Sequence, residues 1–200
     1  MLDGPLVFVD VDTQRDFMEP SGKLFVADSE EIRANLGRLT EFAKRRGVPI
    51  LATACAHTLD EVDPEPFPAH CLVGTPGQER IAETAWTGGS VLHPDEEFPD
   101  TAEILPHLTL EKTRYDVFSR PDAGRVVARY GRGGPTFVVY GIATDYCVRA
   151  AVLGLLARGQ KVAVVVDAVR AIDQDREADQ FGEFVEKGAF LTLTDVVTAD

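Results

Sequence analysis

The chain predicts a doubly wound α/β fold, a mostly parallel sheet with helices on both faces. Three observations carry that expectation. Strand-like apolar runs alternate with helix-like amphipathic stretches from end to end. The runs are nearly unbroken in hydrophobicity, as strands buried on both faces require. The 200 residues are 44% hydrophobic, enough for one globular domain with a sizeable core, and residues 1–200 read as a single domain without repeat, low-complexity tract or linker.

Leu6 to Val11 opens as a central strand. Ser29 or Asp28 is the expected cap of a helix reaching about Arg46, with Ile32, Leu36, Leu39 and Phe42/Ala43 on its apolar face. Lys44, Arg45 and Arg46 suit its negative dipole end, and Gly47 stops it. Val48 to Ala54 is the second strand. Residues 55–90 are irregular and rich in Pro, Gly and acidic side chains, a length that in compact domains often serves function. Leu108 to Lys112 predicts a short strand and Pro121 to about Tyr130 a helix. Pro135 to Ile142 is the next strand, with a helix after it closed by Gly159. Lys161 to Val166, a polar helix around Arg176 to Lys187 and a late strand from Ala189 to Leu193 complete the pattern.

The net charge of −13 argues against nucleic acid and against an anionic membrane surface as partners, although it does not exclude an anionic substrate. No apolar run reaches the length of a membrane span, and the opening Met1-Leu2-Asp3-Gly4-Pro5 has no basic segment of a signal peptide. Three scattered cysteines, at 55, 71 and 147, do not suggest a disulfide framework. A reducing cytoplasm is the expected compartment, and it would keep a nucleophilic thiol intact.

The most telling segment is Gly141-Ile142-Ala143-Thr144-Asp145-Tyr146-Cys147-Val148, a strand-to-helix turn. With Thr144 as N-cap, Cys147 falls at the third helical position. The free N–H groups and positive dipole end there favour a thiolate and offer donors to an oxyanion. Taken alone, Cys147 reads more readily as a small apolar residue near the core than as a nucleophile. In open parallel sheets, ligands bind beyond the carboxyl ends of the strands. Asp12, Lys112 and Cys147 each stand at or just after such an end. A carboxylate can take the thiol proton and return it to a leaving amine, and a lysine beside both can orient the pair.

Asp12-Thr13-Gln14-Arg15-Asp16-Phe17 resembles the Asp-x-Gln-x-Asp-Phe opening of the nicotinamidase and isochorismatase-like cysteine hydrolases. The Cys147 segment resembles their nucleophile segment, and Phe67-Pro68-Ala69-His70-Cys71 with Gly74-Thr75-Pro76-Gly77 resembles their aromatic-Pro-x-His-Cys…Gly-Thr-Pro-Gly stretch. The resemblance implies a Rossmann-like three-layer fold in a homo-oligomer, with Asp12 as general base and acid, Lys112 as third triad member and Cys147 as nucleophile. It also implies an oxyanion hole from the N–H groups of Ala143 and Cys147, a cis peptide at Ile142–Ala143, and Ile142 among the substrate-binding residues. Phe17 and Phe67 match the positions flanking the substrate ring, with Phe67 where nicotinamidases usually carry Trp. Asp10, two residues before the motif, is given no role.

Nicotinamidases carry Asp-x-His after the second strand, a second His further on, and a third before the Cys. This chain has Cys55-Ala56-His57 and His70, without the middle His. A spacing of two points Cys55 and His57 to one side. Cys, His and His suit Zn²⁺ with an open fourth position, the expected cofactor, while a small buried Cys and a loop His without metal is the alternative. Asp60, Glu61 and Asp63 are candidates for the absent ligand, and nothing selects among them. His93 and His107 match no motif and are expected to face solvent.

The activity so implied is release of ammonia from a small amide, with nicotinamide leading. The alternative is a carbamoyl-amide or ureido-acid hydrolase of the same family. An isochorismatase or a silent binding protein that kept the fold ranks behind both.

Overall fold

A computed structural model of the chain describes residues 4–60, 67–99 and 103–199. Its centre is a seven-stranded sheet in the order β3-β4-β2-β1-β5-β6-β7, parallel throughout. In chain order the elements are β1 (Leu6–Val11), α1 (Arg15–Met18), α2 (Arg33–Arg46), β2 (Ile50–Cys55), β3 (Ser90–Leu92), β4 (His107–Lys112), α3 (Ala123–Tyr130), β5 (Thr136–Ile142), α4 (Arg149–Ala157), β6 (Lys161–Arg170), α5 (Glu177–Glu186), β7 (Phe190–Thr192) and α6 (Thr194–Val197). The doubly wound expectation therefore holds.

Strand alternation feeds two cores. Val7, Val9 and Val11 point with Phe137 and Val139 into the layer of α3, α4 and α5. Phe8 points with Val138 and Tyr140 into the layer of α2, where Leu36, Leu39 and Phe42 meet it. Every residue of β2 and β5 is buried, the cause of their unbroken apolar sequence.

Several local expectations are corrected. The helix before Gly47 starts as a 3₁₀ turn, Ser29–Ile32, and becomes α-helical only at Arg33. Neither candidate cap works as one: Asp28 is left-handed at φ 59°, and Ser29 Oγ donates instead to the carbonyl of Phe17. Gly47 does end α2, in the left-handed conformation. β6 runs to Arg170, past the expected end at Val166, with a register shift in its pairing to β5 between Val139 and Gly141. β3, which starts at the last residue of the stretch read as irregular, was not expected. His107 is buried at 4% exposure and stacks on Trp86 at 5.2 Å, against the solvent-facing expectation, and burial lowers its pKa to about 4. His93 is exposed and pairs with Glu111 at 2.7 Å.

Candidate active site

The carboxyl ends of β1, β2, β4 and β5 lie side by side, so the residues just beyond them converge. Asp12 leaves β1 with φ 50°, a left-handed turn that Asp tolerates better than most residues. Its Oδ1 accepts from Thr53 Oγ1 at 2.6 Å, and its Oδ2 lies 2.7 Å from Lys112 Nζ. Lys112, the last residue of β4, also donates to Cys55 Sγ at 3.2 Å and Cys147 Sγ at 3.6 Å. The structure thus brings together Asp12, Lys112 and Cys147, and adds Cys55 to them.

Cys147 does not sit third in an α-helix. Thr144–Val148 form a π turn capped by Ala143, whose carbonyl accepts from Tyr146 and Val148. The Thr144 hydroxyl is absent from the cap because it donates to Glu177 Oε1 at 2.9 Å. The peptide Ile142–Ala143 is cis, as the resemblance implied. Upstream, Gly141 has φ 116°, and a Cβ there would stand 2.1 Å from the Val11 carbonyl oxygen. That closeness lets the end of β5 pass tightly by β1.

Burial pushes the Asp12 carboxyl above its ordinary range, the charge of Cys55 adds to this, and Lys112 opposes both. Burial works against the Lys112 charge, but Asp12 and the two thiols outweigh it and hold the ammonium well above the usual lysine range. A hydrogen bond between the thiols pushes Cys147 up and draws Cys55 down. The Asp12 carboxylate lies within 4.8 Å of Cys147 Sγ, near enough to exchange a proton with it.

The motif residues around this cluster turn out to build the frame. Gln14 Oε1 accepts from Cys55 N at 2.7 Å, while its Nε2 donates to the carbonyls of Cys55 and Gln78, both at 2.8 Å. Asp16 Oδ2 accepts from Cys71 N at 2.6 Å, and Gly77 leaves room for that carboxylate. Asp10, which was given no role, is buried and held by Thr13 and Arg80.

Above Cys147 lies a narrow, mainly apolar cavity. Phe17 and Phe67 line it, together with Ala143; Ile142 is buried at 1% exposure and is not among the lining residues. Leu24, Tyr115, Tyr146 and Ile172 complete the wall and were missed, although Tyr146 stands beside the nucleophile candidate in sequence. Tyr146 meets Phe67 edge-on at 5.3 Å and Tyr115 at 6.3 Å.

Cys55, His57 and His70 open into the same cavity, with donor atoms within 4.8 Å of one another. His70 Nδ1 pairs with the Pro68 carbonyl at 2.9 Å, the outer bond that leaves the other ring nitrogen to a metal. His57 Nδ1 is buried without a hydrogen-bond partner. An orphaned imidazole nitrogen beside a thiol and a second imidazole fits Zn²⁺ well. Asp60 is exposed and outside that donor group, whereas Glu61 and Asp63 lie outside the described residues.

A parallel α/β sheet with a thiol, a carboxylate and an ammonium gathered at its carboxyl edge defines a hydrolase of the α/β class. The chain belongs to the isochorismatase family: the isochorismatase domain profile matches residues 6–196. It is 28% identical over 221 residues to the nicotinamidase of Escherichia coli strain K12, covering 96% of each chain. It is also similar to the solved pyrazinamidase of Pyrococcus horikoshii in complex with zinc, at 26% identity and TM-score 0.75 over 95% of this chain and 99% of that one. The N-carbamoylsarcosine amidase of Thermoplasma acidophilum shares the fold, at 23% identity and TM-score 0.76 over 96% and 98%. Among the described residues no helix is long and apolar enough to cross a membrane.

Proposed function

We propose that this hydrolase releases ammonia from a small, flat aromatic amide through a thioester on Cys147, with nicotinamide the leading substrate and nicotinate the product. The observation that carries the reading is the contact of Lys112 with both Asp12 and Cys147 at the floor of an aromatic-walled cavity. Asp12 takes the Cys147 proton as the sulfur attacks the carboxamide carbon. The N–H groups of Ala143 and Cys147 receive the oxyanion. Asp12 then protonates the departing ammonia, and a water that it deprotonates cleaves the thioester. Lys112 keeps its positive charge throughout and holds carboxylate and sulfur in register.

The resident metal in this reading is zinc, held by Cys55, His57 and His70, and when bound it supplies a Lewis acid for the lone pair of a ring nitrogen. Phe17 and Phe67 contribute on the order of 0.5–1.5 kcal/mol per good ring contact, enough to favour a flat substrate. Among the described residues no Arg or Lys lines the cavity. A carboxylate-bearing ureido acid would therefore meet no guanidinium or ammonium on the cavity wall, whereas the aromatic faces suit a flat, neutral amide.

The test is ammonia release over a panel of nicotinamide, pyrazinamide, benzamide, aliphatic amides and N-carbamoyl acids. The expected order places the two heteroaromatic amides first in kcat/KM. A far higher kcat/KM for a carbamoyl acid would overturn the substrate assignment.

A further inference from the structure

Cys55 belongs to two groups at once. Its sulfur is a donor in the set with His57 and His70, and also in a set with Asp12 and Cys147, where the three donor atoms lie within 4.8 Å of one another. Lys112 Nζ bridges the two sulfurs, 3.2 Å from one and 3.6 Å from the other. Cys55 ends β2 and Cys147 lies in the turn after β5, the two strands that flank β1, so both thiols stand at the carboxyl edge on either side of it. A sulfur–sulfur bond of about 2.05 Å requires a closure of less than about 3 Å from this arrangement. Access is one-sided: Cys147 is 9% exposed at the cavity floor, Cys55 3%. The third thiol, Cys71, is fully buried and faces the Gly77 carbonyl at 3.9 Å, outside both groups.

We infer that Cys55 is a resolving thiol for Cys147, and that hydroperoxides convert the pair reversibly into a Cys55–Cys147 disulfide. The Cys147 sulfur attacks one peroxide oxygen, the O–O bond breaks, and the other oxygen leaves as water or alcohol with the thiol proton. The sulfenic acid so formed is attacked at sulfur by Cys55, its S–O bond breaks, and water leaves with the Cys55 proton. The two sulfurs supply the two electrons that reduce the peroxide. The disulfide removes the proposed nucleophile and one metal donor together, yet it protects Cys147 from irreversible oxidation to sulfinic and sulfonic acids. A carboxylate at position 55 would give no such protection. The inference depends on the thiol pair, not on which amide is hydrolysed.

The experiment is peptide mapping of the full chain after treatment with about one equivalent of hydrogen peroxide, in the presence of a chelator that keeps Cys55 free of metal. Cleavage by trypsin and a glutamate-specific protease, after Glu61, separates Cys55 from Cys71. The expected result is one linked pair of peptides holding Cys55 and Cys147, a fall from three free thiols to one, and full recovery of thiols with dithiothreitol. In Cys55→Ser one equivalent should stop at a sulfenic acid, and raising the dose to about three equivalents or more should carry Cys147 to sulfinic and sulfonic acids that dithiothreitol does not reverse, while the unaltered chain at that dose keeps its disulfide. In Cys71→Ala the link should form unchanged. Cys147 found as sulfinic acid in the unaltered chain, or linked to Cys71, would overturn the inference whatever the variants do.

Discussion

Lys112→Met removes one charge from a buried pair and keeps the length of the side chain. Lys112 is 1% exposed and Asp12 0%, with Nζ 2.7 Å from Oδ2, so water cannot replace the lost partner. Stranding one member of such a pair costs about 3–5 kcal/mol, which at roughly 2–4 °C per kcal/mol for a chain of this size lowers Tm by about 6–20 °C. The deficit has a definite pH dependence. Burial already raises the Asp12 pKa, and loss of Lys112 raises it further. A carboxyl whose folded pKa is raised stabilises the fold below its unfolded pKa, about 3.9, and loses that contribution as pH climbs through the folded value. The difference from the unaltered protein should thus grow as pH rises from the acid side toward neutral. Adding Asp12→Asn removes the stranded charge, and the double variant should be more stable than Lys112→Met alone. Urea unfolding followed by fluorescence of Trp86, the sole tryptophan, measures all three. A deficit below about 1 kcal/mol, a deficit larger at acid pH, or a double variant weaker than the single one would refute the buried-pair argument.

Gly141→Ala should leave little soluble protein, because its Cβ would stand 2.1 Å from the Val11 carbonyl oxygen at φ 116°. Gly47→Ala, with nothing within 4 Å and φ 65°, should cost only about 1–2 kcal/mol, and solubility with thermal unfolding compares the two. Elemental analysis should find about one zinc per chain, lost in His57→Ala and in His70→Ala. A cobalt-loaded protein should show a thiolate-to-cobalt absorption band that disappears in Cys55→Ser, and a band that survives would remove Cys55 from the ligand set.

The legible parts of the fold were those where one local force dominates. β1, β2 and β5 are buried on both faces, so hydrophobicity alone marks them, and Gly47 marks the end of α2 by its left-handed backbone. The start of α2 misled because Ser29 finds a distant carbonyl, at Phe17, in place of a cap. Thr144 misled for the same reason, with Glu177 as the distant partner. β3 escaped notice because two of its three residues are exposed and only pairing with β4 defines it. His107 carried no periodic signal, and its burial comes from Trp86, far away in sequence. At the site, the strand-end positions of Asp12, Lys112 and Cys147 could be read from the chain. The placement of Cys55 against Lys112, and of Tyr115, Leu24 and Ile172 around the cavity, depends on how separate loops fold over the sheet edge. No local pattern encodes that.

In the proposed reaction Cys147 carries the acyl group during turnover. Acid-quenching the protein within milliseconds of mixing with saturating nicotinamide, followed by mass spectrometry of the Cys147 peptide, tests it most directly. The expected result is an acyl adduct on that peptide alone, absent from Cys147→Ala, which should keep its fold and release no ammonia. Ammonia release by Cys147→Ala at a substantial fraction of the normal rate, or turnover with the acyl group on Cys55 in place of Cys147, would contradict it.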